Sequence, residues 1–386
     1  MARLDRLGPA KEVAQIGAAI GREFSQALLA SVMRKPEADL VSALNRLVEA
    51  GLLFRQGVPP YASYLFKHAL VRDAAYGTLL RANRHHLHAS IANVLERQFS
   101  DVCETQPEIL ARHYARAGLP EEAINYWQRA GDRAAKRSAN QEAVAHFRNA
   151  TELLETLPDR AAHAEQELQL LIALGPALMT TRSSASPEIE QVYARARELA
   201  HKLQRIADLF PTVWGASLVT LTAGDLATSA RLVVDLIEMA NTSGDSTLKL
   251  QAHHAAWGNF MVTGSLGAAR DHIASGLALY RRDTHGEQAL HYGGHDPGVC
   301  GYVVDALIAA VMGYPDQGVS LVHKGVELAR ELDHPPSLAQ ALWFAAELYQ
   351  IRREPKKVQD SVSAVCRRSR ERDHVARMGA RHSGTH

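Results

Sequence analysis

Apolar residues recur at helical spacing through most of the chain. In AKEVAQIGAAIG and EFSQALLASVM, residues 10–33, they predict two helices. KPEADLVSALNRLVEAGLL follows, with Pro36 near its first turn and Leu40, Leu44, Leu47 and Val48 on one face. Gly51 stops that helix. In LLFRQGVPPYASYLFKH two short apolar and aromatic runs flank QGVPP, the pattern of a β-hairpin. Three helices and a hairpin in this order predict a winged-helix-like domain over residues 1–80. Beyond it, Ala69, Leu70, Ala74, Leu79 and Leu80, then Leu87, Ile91, Val94 and Leu95, continue a helical stripe. A connecting helix is assigned to residues 81–106.

From about residue 107 the pattern repeats. Four segments begin with a glycine, place a small residue five positions later and continue as an apolar helix. They start at Gly118, Gly224, Gly264 and Gly313, and the small residues are Ala123, Ser229, Ala269 and Gly318. SANQEAVAHFRNATELL fits without its glycine, with Ala143, Phe147 and Ala150 at i, i+4, i+7. The glycine ends one helix, and the small residue lets the next approach its neighbour closely. Degenerate tetratricopeptide-like helix pairs follow, and with them an α-solenoid over residues 107–352. TRSSASPE, residues 181–188, reads as a loop with a helix start at Pro187. Residues 353–386 are basic, lose the apolar spacing and are expected to form a disordered or aberrant tail. The expected fold class is mainly α: a winged-helix-like domain, then the solenoid.

Composition narrows the function classes. The net charge of +1 gives no general pull toward nucleic acid or anionic lipid. Cys103, Cys300 and Cys366 are too scattered for a disulfide framework, which suits a reducing cytoplasm. The N-terminus lacks an apolar signal core, and the longest apolar stretch, near YVVDALIAAVMGY, is too short to span a bilayer. A cytoplasmic protein with no membrane partner is expected.

HYGGHDPGVC, residues 291–300, is the densest group of metal-ligand side chains. His291 and His295 are four apart, but Gly293 and Gly294 between them exclude a helical pair. The set His291, His295, Asp296, Cys300 matches no standard zinc spacing. A helix start fits better, with Asp296 as N-cap, Pro297 in the first turn and Cys300 as a small buried residue. His85, His86 and His88 form a second cluster, read as a solvated face with one packed ring. No phosphate-binding loop, GxSxG, HExxH, CxxC or GxGxxG after a strand occurs. No catalytic, cofactor-binding or metal residue is therefore assigned, and no enzyme is expected. The recognition-helix candidate sets Lys35 and Arg46 against Glu37, Asp39 and Glu49, which disfavours DNA. A winged-helix transcription regulator, and an enzyme or metal protein with a site in the repeat groove around residues 291–300, stand as alternatives.

Several stretches carry a resemblance to a known family: AKEVAQIGAAIGREFSQALLASV, LNRLVEAGLLFRQGVPPYASYLFKHALVRDAAYGTLL, YGGHDPGVC and GYPDQG. Over about residues 2–350 the chain resembles the C-terminal portion of bacterial class III adenylate/guanylate cyclase-related ATPases of the STAND signalling type. The resemblance implies a winged helix and tetratricopeptide array that follow a cyclase domain and a P-loop ATPase. Partner or ligand binding to the repeats would be relayed to the nucleotide switch. The phosphate-binding loop and the cyclase's metal-binding aspartates are absent from this sequence, so none is carried over. The chain is expected to be a non-catalytic regulatory fragment with a protein partner, for instance a separate nucleotide cyclase or P-loop ATPase. A frameshift or truncation near residue 353 would account for the tail.

Overall fold

A computed structural model describes residues 8–159, 161–181, 186–285, 288 and 291–366. The chain divides into two compact units, one running to Ala130 and one from Gly131.

The first unit begins with α1 (Pro9–Ile20), β1 (Glu23–Ser25), α2 (Gln26–Met33), α3 (Glu37–Glu49), β2 (Leu53–Gln56) and β3 (Ser63–Phe66). The strands form one antiparallel sheet in the order β1-β3-β2, with Phe24 opposite Tyr64 and Leu53 opposite Phe66. Helical spacing placed Glu23–Ser25 inside a helix, whereas the structure makes it a strand. Phe24 turns inward, its ring 5.9 Å from that of Tyr64, and the Ser25 hydroxyl accepts from the Leu28 amide to cap α2. Leu29, Leu40, Leu44, Leu47, Leu53 and Phe66 fill the core. Where three helices and a hairpin were expected, the structure has three helices and a three-stranded sheet. Four further helices follow: α4 (Ala69–Gly77), α5 (Arg81–Gln98), α6 (Ser100–Thr105) and α7 (Pro107–Ala117). Then α8 (Pro120–Lys136) runs across the division between the units.

The second unit is an α-solenoid. It contains α9 (Asn140–Glu155), α10 (Ala164–Thr181), α11 (Pro187–Lys202), α12 (Ile206–Thr222), α13 (Leu226–Ser243), α14 (Ser246–Val262) and α15 (Leu266–Leu279). A short α16 (Arg282–His285) precedes α17 (Pro297–Val311), α18 (Pro315–Glu331) and α19 (Pro335–Ile351). Consecutive helices pair, as α12 with α13, α14 with α15 and α17 with α18. The first helices of successive pairs also touch: α12 with α14, α14 with α17, α17 with α19. The four repeat glycines all take positive φ, 74°, 84°, 81° and 94°, where an L side chain is strained. Ala123, Ser229, Ala269 and Gly318 are all buried. A Cβ on Gly318 would lie 2.6 Å from the carbonyl oxygen of Ala306, so only glycine allows α18 to sit this close to α17. In the segment without a glycine, Ser138 takes the positive φ instead, and Ala143, Phe147 and Ala150 are fully buried.

The expected tail is corrected in part. Residues 355–366 form a helix, α20, and Val358, Ala364 and Val365 pack against the core of α17, α18 and α19. Its apolar residues sit among Lys356, Lys357, Gln359 and Asp360, and arginines flank it on both sides, so the spacing is easily overlooked. Residues 367–386 lie outside the described residues, as do 182–185 of the TRSSASPE loop, and Pro187 does open α11.

Candidate functional site

In the first unit, the exposed face of α3 presents Glu37, Asp39, Ser42, Arg46 and Glu49, and Lys35 is paired with Glu12. One arginine among three acids repels a phosphate backbone more than it attracts it. His86 is exposed and His88 is fully buried. His88 belongs to a relay that spacing alone does not show. Its Nδ1 lies 2.9 Å from Nδ1 of His113, and its Nε2 lies 2.9 Å from the Tyr76 hydroxyl. His113 also donates to the Ile20 carbonyl. Every nitrogen has a partner of opposite kind: Tyr76 donates to His88, His88 to His113, and His113 to Ile20. Burial pushes His88 down to about 4 and His113 to about 3, so both rings are neutral.

The HYGGHDPGVC stretch is divided by the structure. Asp296 caps α17, its Oδ1 accepting from the Val299 amide at 2.8 Å, and Tyr280 donates to its other oxygen. Gly293 and Gly294 take φ of 71° and 77°, which brings the loop against Trp214 and Thr180. His291 is exposed. His295 and Cys300 converge on a third residue, His254 of α14, 41 positions before His295. The ligating atoms of His254, His295 and Cys300 lie within 4.8 Å of one another.

Each member is held from behind. His254 Nδ1 lies 3.0 Å from Gln251 Oε1, and Gln251 in turn donates to Gln288. His295 Nδ1 lies 3.1 Å from the carbonyl of Gly293. The Trp214 indole donates to the Gln251 carbonyl at 3.0 Å, and the His254 ring sits between Trp214 and Trp257. Cys300 receives hydrogen bonds from Gln340, at 3.7 Å, and from Trp257. Burial holds His254 well below the ordinary histidine range, pushes His295 to about 4 and raises the Cys300 thiol to about 12. Two imidazoles and a sulfur so arranged can hold a soft metal ion. The expected helix start and this cluster coexist: Asp296 makes the cap, and Cys300 faces α14 one turn further on. Spacing missed His254 because its partners come from another helix pair.

The second unit also has an open apolar surface. Trp343 on α19 is 60% exposed. Val262, Val311, Met312, Tyr314 and Ile351 are exposed at the turns that end α14, α17 and α19. Among the described residues, no helix is long and apolar enough to cross a membrane.

No protein-family model matches the chain. It is 29% identical over 343 residues to an uncharacterized protein of Rhizobium meliloti (strain 1021), covering 88% of this chain and 33% of that protein. The chain thus spans about a third of the length of the curated relative it matches. Among solved structures it is similar to the Rap conjugation gene regulator of plasmid pLS20 in complex with the Phr* peptide. That likeness has a TM-score of 0.51 and 14% identity, over 92% of this chain and 85% of the other. A STAND protein with a tetratricopeptide repeat sensor from Pyrococcus horikoshii gives a TM-score of 0.41 and 10% identity, over 92% of this chain and 62% of the other. At these identities the likeness to the Rap regulator is one of fold, a mainly α helical-repeat architecture.

Proposed function

We propose that the chain is a non-catalytic regulatory fragment that presents its helical repeats to a protein partner. The observation that carries this is the exposed apolar set on the second unit, above all Trp343. An exposed tryptophan on a repeat helix, in a unit whose helix ends also expose apolar side chains, has the composition of a binding hot spot. The pLS20 regulator holds a peptide on the same architecture, which supports a peptide segment as the element recognised here. The resemblance in the sequence supports a partner of the signalling ATPase or nucleotide cyclase class. The acidic exposed face of α3 argues against DNA.

The test is affinity capture from the native cytoplasm with the full chain and with Trp343→Ala as parallel baits. The expected result is a P-loop ATPase or nucleotide cyclase retained by the wild type and lost with the variant, whose circular dichroism is unchanged. Identical captured sets for the two baits would refute the proposed surface.

A further inference from the structure

His254 and His295 differ in one respect from the buried pair in the first unit. There, each nitrogen meets a group of opposite kind. Here, both outer nitrogens face acceptors. Gly293 offers a backbone carbonyl to His295 Nδ1, and Gln251 offers its amide oxygen to His254 Nδ1. With the Gln251 amide in this orientation, its oxygen toward His254 and its nitrogen toward Gln288, each Nδ1 carries the hydrogen and each Nε2 a bare lone pair. The two Nε2 atoms nevertheless lie 3.1 Å apart. Both contacts to the Cys300 sulfur come from N–H groups, those of Trp257 and Gln340; burial keeps the metal-free group a thiol, and these donors would stabilise the thiolate that an ion creates. Three electron-pair donors thus converge on one point. A shared proton is a poor occupant, because burial disfavours imidazolium at either ring.

We propose that His254 Nε2, His295 Nε2 and Cys300 Sγ bind a single soft metal ion, copper(I). Two imidazole nitrogens on one three-coordinate ion at about 2.0 Å each lie roughly 3.5 Å apart, so the pair, 3.1 Å apart, opens by a few tenths of an ångström on binding while the sulfur closes in. The outer hydrogen bonds to Gly293 and Gln251 are the second-shell contacts that fix a metal-binding histidine's tautomer. Charge selects the ion. A thiolate with copper(I) is neutral overall, whereas zinc(II) would leave a net positive charge in a pocket walled by Trp214 and Trp257, and burying such a charge is costly. Three ligands also suffice for copper(I), while structural zinc takes four. Binding exchanges the Cys300 proton for the ion, so one proton is released to solvent and the metal keeps its oxidation state. His295 is the least buried of the three, and its neighbour Gly294 lines a small pocket with Pro176, Thr180 and His334.

The experiment titrates the full chain anaerobically with copper(I) against a chromophoric chelator, in a Cys366→Ser background that removes the exposed thiol. One ion per chain is expected. Affinity should fall at least ~100-fold in His295→Gln and Cys300→Ser, and roughly 10- to 100-fold in Gln251→Leu, which touches no metal. His291→Gln, at an exposed position, should bind as the wild type does. ¹⁵N correlation spectra of the metal-free protein should show both rings protonated at Nδ1, with the two Nε2 signals shifting on titration. Equal affinity in wild type and His295→Gln, or an Nε2–H tautomer at either ring, overturns the site. Zinc(II) retained at the same stoichiometry in preference to copper(I) overturns the choice of ion.

Discussion

At the scale of single residues, two features make strong predictions. Gly318 is the small residue of its repeat, and the Ala306 carbonyl oxygen lies 2.6 Å from where a Cβ would be. The obstacle is backbone, which cannot rotate away. Gly318→Ala should therefore cost about 1–3 kcal/mol, the usual range for overpacking, measured by urea denaturation. The second feature is the His88–His113 relay. Both folded pKa values lie below the ordinary 6.5, at about 4 and about 3. Folding with neutral rings is therefore fully favourable above pH 6.5, and that stability is lost as pH falls from 6.5 through about 4 and on to about 3. His113→Gln keeps a donor for the Ile20 carbonyl and removes one titrating ring. Its thermal midpoint should fall less steeply than the wild type's over that interval. Legibility at this scale was uneven. The cap made by Asp296 was visible because its partners lie within three residues. The meeting of His295 and Cys300 with His254 was not, because it depends on two helices from different pairs.

At the scale of elements, glycine is neither a sufficient nor a necessary sign of a helix end: Gly131 and Gly318 lie inside helices. Gly118, Gly224, Gly264 and Gly313 marked four junctions, and each takes the left-handed conformation expected of it. Ser138, Gln204, Asp333 and Arg353 occupy the same conformation at other junctions, with φ of 56°, 55°, 45° and 57°. The three ends formed by Gln204, Asp333 and Arg353 were invisible to a search for glycine. The chain turns there because the flanking helices are fixed by burial, which overrides a local penalty. A non-glycine residue in this region costs roughly 1–2 kcal/mol. Gln204 is exposed, so little packing is lost with its side chain. Gln204→Gly should raise stability, by up to about 1 kcal/mol once the added freedom of the unfolded chain is subtracted. An unchanged or lower denaturation midpoint would show that the side chain contributes more than its exposure implies. The strand β1 escaped notice for a related reason. Three residues are too few for an alternating pattern, and only pairing with β3 defines them.

At the scale of the molecule, the repeats bury their core by stacking, so the last described helix matters more than its composition suggests. The charged stretch after Arg352 had the look of an ending. In the folded chain, Val358, Ala364 and Val365 of α20 lie against the core that contains Leu342, Ala345 and Tyr349. A helix-repeat array is only as stable as its terminal caps allow. A chain ended at Arg352 would expose the outer side of α19 and lose the partial burial of two valines and an alanine, about 2 kcal/mol when the full-burial value is halved. Such a chain should unfold at lower urea than the full chain and should bind more of an apolar dye. The loss should concentrate in the last pairs, because each pair contacts mainly its neighbours. Hydrogen exchange would then speed up in α17, α18 and α19 while α9 to α11 stay protected. Uniform acceleration across the second unit would mean instead that the array unfolds as one block. Trp343 lies on α19, so a chain cut at Arg352 would lose partner capture through local unfolding rather than through the binding surface. The capture experiment therefore needs α20 in place before the Trp343→Ala comparison has meaning.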